Sequence, residues 1–204
     1  MIINMKEKES VVVVYTGDNK GKTSAAIGLC CRALGGGKKV AFVQFIKEWA
    51  VSEHKFFARI ASVFNKNTEP FDDKLENGFR GDKLTFYKGG KGFYNIGDKS
   101  AKKISDDEHK KSARETFEVA MKMVESADYD LVICDEINNA VSDGLLEIDD
   151  LKQIITNRNS KVNLCLTGRN LPTELLEFVD IATEMKKIKH HYDDGFLATQ
   201  GIDF

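Results

Sequence analysis

The 204-residue chain has no long apolar run and little net charge. No apolar stretch approaches the roughly 20 residues that span a membrane, and the N-terminus, MIINMKEKES, lacks the apolar core of a signal peptide. The chain has 30 Lys and Arg residues and 32 Asp and Glu residues, which gives a formal net charge of -2. Because this balance attracts neither nucleic acid nor an anionic membrane, we expect neither as a partner.

The cysteines do not have the spacing of a metal site. The chain has four of them, Cys30, Cys31, Cys134 and Cys165, and no C-x-x-C pattern. Two are adjacent, and the other two lie in apolar, strand-like runs where cysteine usually packs as a small hydrophobic residue. This usage predicts reduced thiols in a cytoplasmic protein.

The order of apolar and polar segments predicts an α/β fold. Only two prolines interrupt the chain, and short apolar runs alternate with longer amphipathic stretches, as in a mainly parallel sheet with helices on both faces. We expect one domain, 1–204. The predicted strands are VVVVYT (11–16), KVAFVQF (39–45), LTFY (84–87), LVICDE (131–136), VNLCLTG (162–168) and DIATEM (180–185). The predicted helices are 22–34, which ends at Gly35-Gly36-Gly37, and 105–126, and the segment 76–100 is predicted to be a strand with long functional loops.

The stretch VVVVYTGDNKGKTSAA (11–26) is typical of a phosphate-binding loop between a strand and a helix. Thr16 stands where the pattern G-x-x-x-x-G-K-[ST] has its first glycine, and the glycine comes one position later, at Gly17. In such a loop, backbone N-H groups and the helix dipole surround a polyphosphate, Lys22 adds a cation, and the Thr23 hydroxyl can bind Mg²⁺. The alternative is a glycine-rich turn with a surface lysine.

Two further positions modify the phosphate loop. Such a loop often needs a left-handed backbone conformation at the position of Asn19. Asparagine tolerates this conformation better than most residues. Lys20 is either a second cation for a long phosphate chain or a solvated lysine, and the sequence leaves both open.

The run LVICDE ends in two carboxylates, Asp135 and Glu136. A strand that ends in this way, downstream of a phosphate loop, predicts Mg²⁺ binding at the carboxyl edge of the sheet. The alternative is the N-cap of a following helix. The chain lacks an arginine-dense lid segment and a clear water-positioning glutamine, so phosphoryl transfer has no positive support. Arg169, at another strand exit, is a candidate nucleotide contact.

Six segments, taken in order, resemble one known family. They are TGDNKGKTSAA (16–26), CRALGGGKKVAFVQFIK (31–47), GKGF (90–93), DLVICDEINNAVSDGLL (130–146), LTGRNLPTELLEFVD (166–180) and EMKKIKHHYDDGFLATQGIDF (184–204). Together they closely resemble the P-loop corrinoid adenosyltransferases, which have the altered loop T-G-x-G-K-G-K-T and the C-terminal pattern K-H-x-[FY]-D-x-G. The resemblance implies a RecA-like P-loop NTPase fold and a homodimer that transfers the 5'-deoxyadenosyl group of ATP to Co(I) of a corrinoid, releasing triphosphate.

The resemblance also implies roles for single residues. Lys22 would stabilise the leaving triphosphate, Arg32 would lie on the nucleotide side of the first helix, and Thr23 with Asp135 and Glu136 would bind Mg²⁺. The residues implied to hold the phosphates of ATP are Gly17, Asp18, Asn19, Lys20, Gly21, Lys22, Thr23 and Ser24.

On the corrinoid side, Phe93 falls on the family's G-F-T-W segment, and Asn95 replaces its tryptophan. The resemblance implies that this segment helps to displace the lower axial ligand of cobalt, and that a flavoprotein reductase supplies the electron. The tail KHHYDDG (189–195) matches the family as well, and a metal site at its two histidines is the less favoured interpretation. Two alternatives for the whole chain are a P-loop ATPase or kinase and a regulatory protein that binds ATP without turnover.

Overall fold

The computed structural model describes residues 7–46, 51–70, 78–91 and 104–203. Within those ranges the strands are β1 (Val12–Thr16), β2 (Val40–Gln44), β3 (Thr68–Pro70), β4 (Gly78–Gly81), β5 (Leu84–Lys88), β6 (Leu131–Asp135), β7 (Asn163–Thr167) and β8 (Ile181–Glu184). They form one sheet in the order β3-β4-β5-β2-β6-β7-β1-β8. The six strands from β5 to β8 in that order are parallel, while β3 and β4 add to one edge in antiparallel pairs.

Helices cover both faces of this sheet. They are α1 (Lys22–Gly35), α2 (Ser52–Phe64), α3 (Asp106–Glu125), α4 (Ile137–Ser142) and α5 (Ile148–Thr156), with short 3-10 helices at Thr173–Phe178 and His191–Asp194. One core cluster combines sheet residues with α1 and α2, and the other combines them with α3, α4 and α5. The predicted α/β architecture with a mainly parallel sheet is therefore confirmed.

Strand β2 shows why the central strands are apolar on both sides. Val40 and Phe42 pack in the cluster with α1 and α2, whereas Ala41 and Val43 pack in the cluster with α3. All four side chains are fully buried. Because successive side chains of a strand point to opposite faces, a strand buried on both faces is a continuous apolar run rather than an alternating one.

All six predicted strands are present, and each of their ends lies within one residue of the prediction. Both predicted helices are present as α1 and α3. Helix α3 begins with a capping box: the Ser105 hydroxyl accepts from Glu108 N at 3.3 Å, and the Glu108 carboxylate accepts from Ser105 N at 3.1 Å.

The strands β3 and β4, the helices α2, α4 and α5, and the two 3-10 helices were not predicted. The segment predicted as one strand with long loops contains β4 as well as β5, and the two glycines of β4 explain its weak strand pattern. Among the described residues, no helix is both long enough and apolar enough to cross a membrane.

Candidate active site

The predicted phosphate loop and acidic strand end meet at one edge of the sheet. Strands β1, β6 and β7 are parallel neighbours, so the segments that follow them emerge side by side. An open cavity of about 980 Å³ lies at this edge. Its wall comes from the phosphate loop, the first turn of α2, helix α4, the residues after β7 and the C-terminal segment.

The shifted glycine of the loop has a structural reason. Thr16 is the last residue of β1, and its carbonyl accepts from Met185 N at 2.7 Å. Gly17 has a φ of 108°, and a Cβ at this position would lie 2.5 Å from the Met185 carbonyl oxygen. The chain turns at position 17, against the backbone that follows β8, and this close approach leaves no room for a side chain there. Position 16 is still part of β1, so threonine is allowed.

The second glycine of the loop begins α1. Gly21 is the N-cap residue, with a φ of 114°, and neither a side-chain cap nor an acidic residue occupies the first turn. The start of this 14-residue helix therefore favours an anion.

Asn19 differs from its predicted role. Its backbone φ is not positive, and the left-handed positions of the loop are Gly17 and Gly21. Asn19 N donates to Met185 O at 3.3 Å, and its carbonyl faces the lysine described next. The expectation that Asn19 carries a left-handed conformation is wrong, and its replacement of glycine causes no backbone strain here.

Lys22 lies inside the loop. Its Nζ donates to the carbonyls of Gly17 at 2.7 Å and Asn19 at 2.6 Å. Burial is the main cause that lowers the pKa of Lys22, and the charge of Arg169 lowers it further. Three carboxylates act in the opposite direction: Glu136, Asp18 and Asp135. A half-buried cation whose hydrogen bonds go to two neutral carbonyls is suited to a polyphosphate, because charged phosphate oxygens are stronger acceptors than carbonyls.

Asp135 is fully buried at the end of β6. One of its carboxylate oxygens accepts from Thr167 Oγ1 at 2.7 Å. The other accepts from Gln44 Nε2 at 3.0 Å and from Thr23 Oγ1 at 3.3 Å. The structure thus brings the predicted acidic residue against the hydroxyl of the phosphate loop, and the oxygen atoms of Thr23 and Asp135 are of the type that Mg²⁺ prefers.

Glu136 lines the cavity beside this pair. It is the N-cap residue of α4, but its side chain makes no capping hydrogen bond, so the alternative of a simple helix cap does not account for it. Its φ is 65°, and its N-H donates to Thr167 Oγ1 at 2.9 Å. A glutamate in a left-handed conformation is uncommon, and here the conformation follows from the tight passage from β6 to α4.

Two cations complete the polar wall. Arg169 lines the cavity after β7, and its N-H donates to Asn139 Oδ1 at 2.7 Å. Lys20 is bound by the C-terminal segment: its Nζ donates to the Ile202 carbonyl at 2.5 Å and lies 3.2 Å from Asp203 Oδ1. Lys20 is therefore partnered rather than simply solvated.

The cavity collects most, but not all, of the predicted site residues. Asp18 through Ser24, Glu136 and Arg169 line it. Arg32 is not among the lining residues: it is exposed in the last turn of α1, about three helical turns from Lys22. Phe93 and Asn95 lie outside the described residues.

Three contributors to this region were not predicted from the sequence. Gln44 and Thr167 end strands β2 and β7, and both are buried polar residues within otherwise apolar runs, which is the signal that could have identified them. The third is Asp203, at the far end of the C-terminal segment. Ligand atoms of Asp203 and of the two histidines already considered, His190 and His191, lie within 4.8 Å of one another, although His190 Nδ1 already accepts from Tyr192 N at 3.2 Å.

Comparison with known proteins agrees with this geometry. The family ATP:corrinoid adenosyltransferase BtuR/CobO/CobP matches residues 8–204. The corrinoid adenosyltransferase of Pseudomonas aeruginosa is 30% identical over 204 residues, which cover 100% of this chain and 88% of that protein. The corrinoid adenosyltransferase of Escherichia coli K12 is 28% identical, and corrinoid adenosyltransferase CobA of Salmonella typhimurium is 24% identical, each over 100% of this chain and 90% of the relative.

Among solved structures, the N-terminal domain of the DNA packaging ATPase from bacteriophage phi29 is 14% identical, with a TM-score of 0.38 over 88% of this chain and 91% of that chain. The family match spans Asp135 and also the parts of the chain that line the cavity: the phosphate loop, Glu136 and the C-terminal segment. The chain belongs to the ATP:corrinoid adenosyltransferase family.

Proposed function

We propose that the chain transfers the 5'-deoxyadenosyl group of ATP to Co(I) of a corrinoid and releases triphosphate. The observation that carries this proposal is the phosphate loop at the cavity, in a chain whose residues 8–204 match the adenosyltransferase family. The cavity volume of about 980 Å³ is near the upper end of the range for small-molecule sites, roughly 300–1,000 Å³. This volume suits a nucleotide with part of a second substrate beside it.

The reaction needs alignment and charge stabilisation more than a side-chain base. The electron pair of Co(I) forms the bond to C5' of the ribose, and the pair of the C5'-oxygen bond leaves with triphosphate, so no separate oxidant or proton acceptor is required. Holding the two reacting atoms in line lowers the barrier by removing translational and rotational freedom. The protein's second task is to stabilise the growing charge on the departing oxygen.

The phosphate loop is suited to this second task. Lys22 Nζ can exchange its two carbonyl acceptors for phosphate oxygens, and the N-terminus of α1 adds backbone donors from Gly21 onward. Lys20 and Arg169 add cations at the rim of the same cavity. We assign Lys22 as the catalytic residue and the loop from Gly17 to Ser24, with Arg169, as the ATP-binding site.

We also propose a Mg²⁺ site at Thr23, Asp135 and Glu136. Support comes from the oxygen donors themselves: the Thr23 hydroxyl is 3.3 Å from Asp135, and Glu136 lines the cavity next to them. Mg²⁺ bound there would neutralise part of the triphosphate charge. The side chains of Thr167 and Gln44 hold Asp135 in place for this role.

The resemblance supports further proposals about assembly and location. We propose a single-domain, cytoplasmic homodimer, and the one sheet that collects strands from Val12 to Glu184 supports the single domain. We propose that Phe93 and Asn95 contact the corrinoid, and that a flavoprotein reductase is the electron donor.

A product assay tests the proposed function. Purified protein is incubated with Mg-ATP and chemically reduced cobalamin, while the cobalt spectrum and the phosphate products are followed. Adenosylcobalamin and triphosphate in equal amounts are expected. Release of ADP, with or without corrinoid, contradicts the proposal in favour of an ATPase or kinase, and tight ATP binding with neither product favours a regulatory protein. A parallel assay with cobyrinic acid a,c-diamide identifies the preferred acceptor from the ratio of kcat/KM values.

A further inference from the structure

A chain of hydrogen bonds runs from the first turn of α2 to the phosphate loop. His54 Nε2 lies 2.5 Å from Gln44 Oε1, and Gln44 Nε2 donates to Asp135 at 3.0 Å. The same oxygen of Asp135 accepts from Thr23 at 3.3 Å. Gln44 is fully buried between the other members of this chain, which makes it the central link.

The direction of each hydrogen bond follows from chemistry. An ionised carboxylate only accepts, so the NH₂ group of Gln44 faces Asp135 and its carbonyl oxygen faces His54. The His54 ring must then donate from Nε2. A leucine at position 44 would remove one donor from Asp135 and the acceptor from His54, leaving a buried carboxylate oxygen with only the longer bond to Thr23.

The backbone explains why position 44 is suited to this role. Gln44 and Asp135 are paired residues on the neighbouring parallel strands β2 and β6, and both are the last residues of their strands. Thr167 ends β7 on the opposite side of β6 and donates to the other oxygen of Asp135 at 2.7 Å. Side chains from both adjacent strands therefore fix the plane of one carboxylate.

The other end of the hydrogen-bond chain, His54, lies next to residues that line the cavity. His54 is in the first turn of α2, and the residues around it in sequence line the cavity: Val51, Ser52, Glu53 and Phe56. His54 also packs against Phe86 of β5, with ring centroids 5.5 Å apart. The wall formed by α2 is therefore tied through one glutamine to the end of the cavity that holds the phosphate loop.

We propose that Gln44 is a positioning residue that orients Asp135 toward Thr23 and couples this Mg²⁺ site to the first turn of α2. The inference rests on the proposed function, because it takes Thr23 and Asp135 as the metal site. Residues that hold a metal ligand in place typically change metal affinity by roughly 10–100-fold when replaced. Gln44 therefore sets the Mg²⁺ requirement for ATP binding without touching ATP.

Calorimetric titration of ATP at a series of Mg²⁺ concentrations tests this inference in the full chain without turnover. For Gln44→Leu we expect about a tenfold increase in the Mg²⁺ concentration that gives half-maximal ATP affinity. ATP affinity without Mg²⁺ should stay the same. Thr85→Val is the matched control. Thr85 is also buried, on β5 beside β2, and it accepts from Tyr129 OH at 3.2 Å, so this variant loses a part-buried hydrogen bond unconnected to Asp135.

Two more variants distinguish a wrong metal assignment from a wrong positioning role. Asp135→Asn should abolish the Mg²⁺ dependence; if it does not, the metal assignment in the proposed function is wrong. If Asp135→Asn abolishes it and Gln44→Leu leaves it unchanged, the positioning role is overturned while the metal site stands. His54→Phe keeps a ring beside Phe86 but removes the hydrogen bond, and we expect a smaller increase in the Mg²⁺ requirement. Should Gln44→Leu fail to fold, an unchanged Mg²⁺ requirement in His54→Phe overturns the coupling.

Discussion

The cavity has two unlike walls. The loop wall, residues 17–24, joins a buried strand to a 14-residue helix, and Thr16 and Asn19 anchor it to the backbone of Met185. The tail wall, residues 187–203, is almost entirely exposed: Ile188 is 99% exposed and Leu197 84%. Surface ion pairs, such as Lys187 with Asp193 at 2.9 Å, hold much of it.

The two walls therefore differ in how firmly they are held in place. Exposed ion pairs contribute little to stability, so the tail wall can move without a large change in free energy. The loop wall is fixed by the core of the sheet and by close backbone contacts, which is what stabilisation of a leaving group requires. We expect changes in the loop wall to affect the chemical step and the fold strongly, and changes in the tail wall to affect only ATP affinity, and weakly.

The largest effect is expected for Lys22→Ala in the loop wall. Removing the cation from the leaving phosphate should lower the rate of adenosyl transfer by about 10²–10³-fold, the usual range for loss of one group that stabilises transition-state charge. The rate is measured from the cobalt spectrum with chemically supplied Co(I), so that cobalt reduction does not limit it. Lys152→Ala, an exposed lysine on α5, is the control and should keep the full rate. An unchanged rate in Lys22→Ala would falsify the assignment of the loop.

Gly17→Ala tests whether the loop wall is fixed by its contact with Met185. The added Cβ would lie 2.5 Å from the Met185 carbonyl oxygen, at a φ of 108° that side chains rarely adopt. We expect at least a tenfold weaker ATP affinity by calorimetry, and a lower Tm, since strain of this kind costs about 1–3 kcal/mol.

Gly28→Ala is the control for Gly17→Ala. Gly28 lies in α1 with nothing within 4 Å of an added Cβ, so this variant should gain about 0.5–1 kcal/mol of stability. If both variants were equally stable, the loop wall would be as adaptable as the tail wall, and the comparison between the walls would fail.

A smaller effect in the loop wall is expected for the pH dependence of ATP affinity. Burial and the charge of Arg169 lower the pKa of Lys22 from the 10.5 of a free lysine. As pH rises through this lowered pKa, the ATP-free protein loses the cation that phosphate oxygens bind, so affinity should fall at a pH below 10.5. Lys22→Arg keeps its charge over the same range and should lack this decrease. A decrease at the same pH in both proteins would assign it to another group.

The sequence predicted the loop wall far better than the tail wall. The loop and the strand end at Asp135 are contiguous motifs, so their chemistry is visible in a few neighbouring residues. The contact of Gly17 with Met185 and that of Lys20 with Asp203 join positions more than 160 residues apart, and no local pattern encodes them.

One error in the loop has the same kind of cause. Asn19 was expected to need a left-handed backbone, yet the loop turns at Gly17 and Gly21, which only the three-dimensional path reveals.

The smallest effect is expected for Asp203→Ala in the tail wall. Asp203 and the Ile202 carbonyl bind Lys20 in the absence of ATP, at the place where Lys20 faces the cavity. Loss of the carboxylate frees Lys20 for phosphate, so ATP affinity should increase, by less than about threefold for an ion pair at the protein surface. Tm should stay unchanged. Combining it with Lys20→Ala should remove the gain, because the gain acts through Lys20. A large loss of affinity in Asp203→Ala would show instead that the tail wall is a fixed part of the ATP site, as firmly built as the loop it faces.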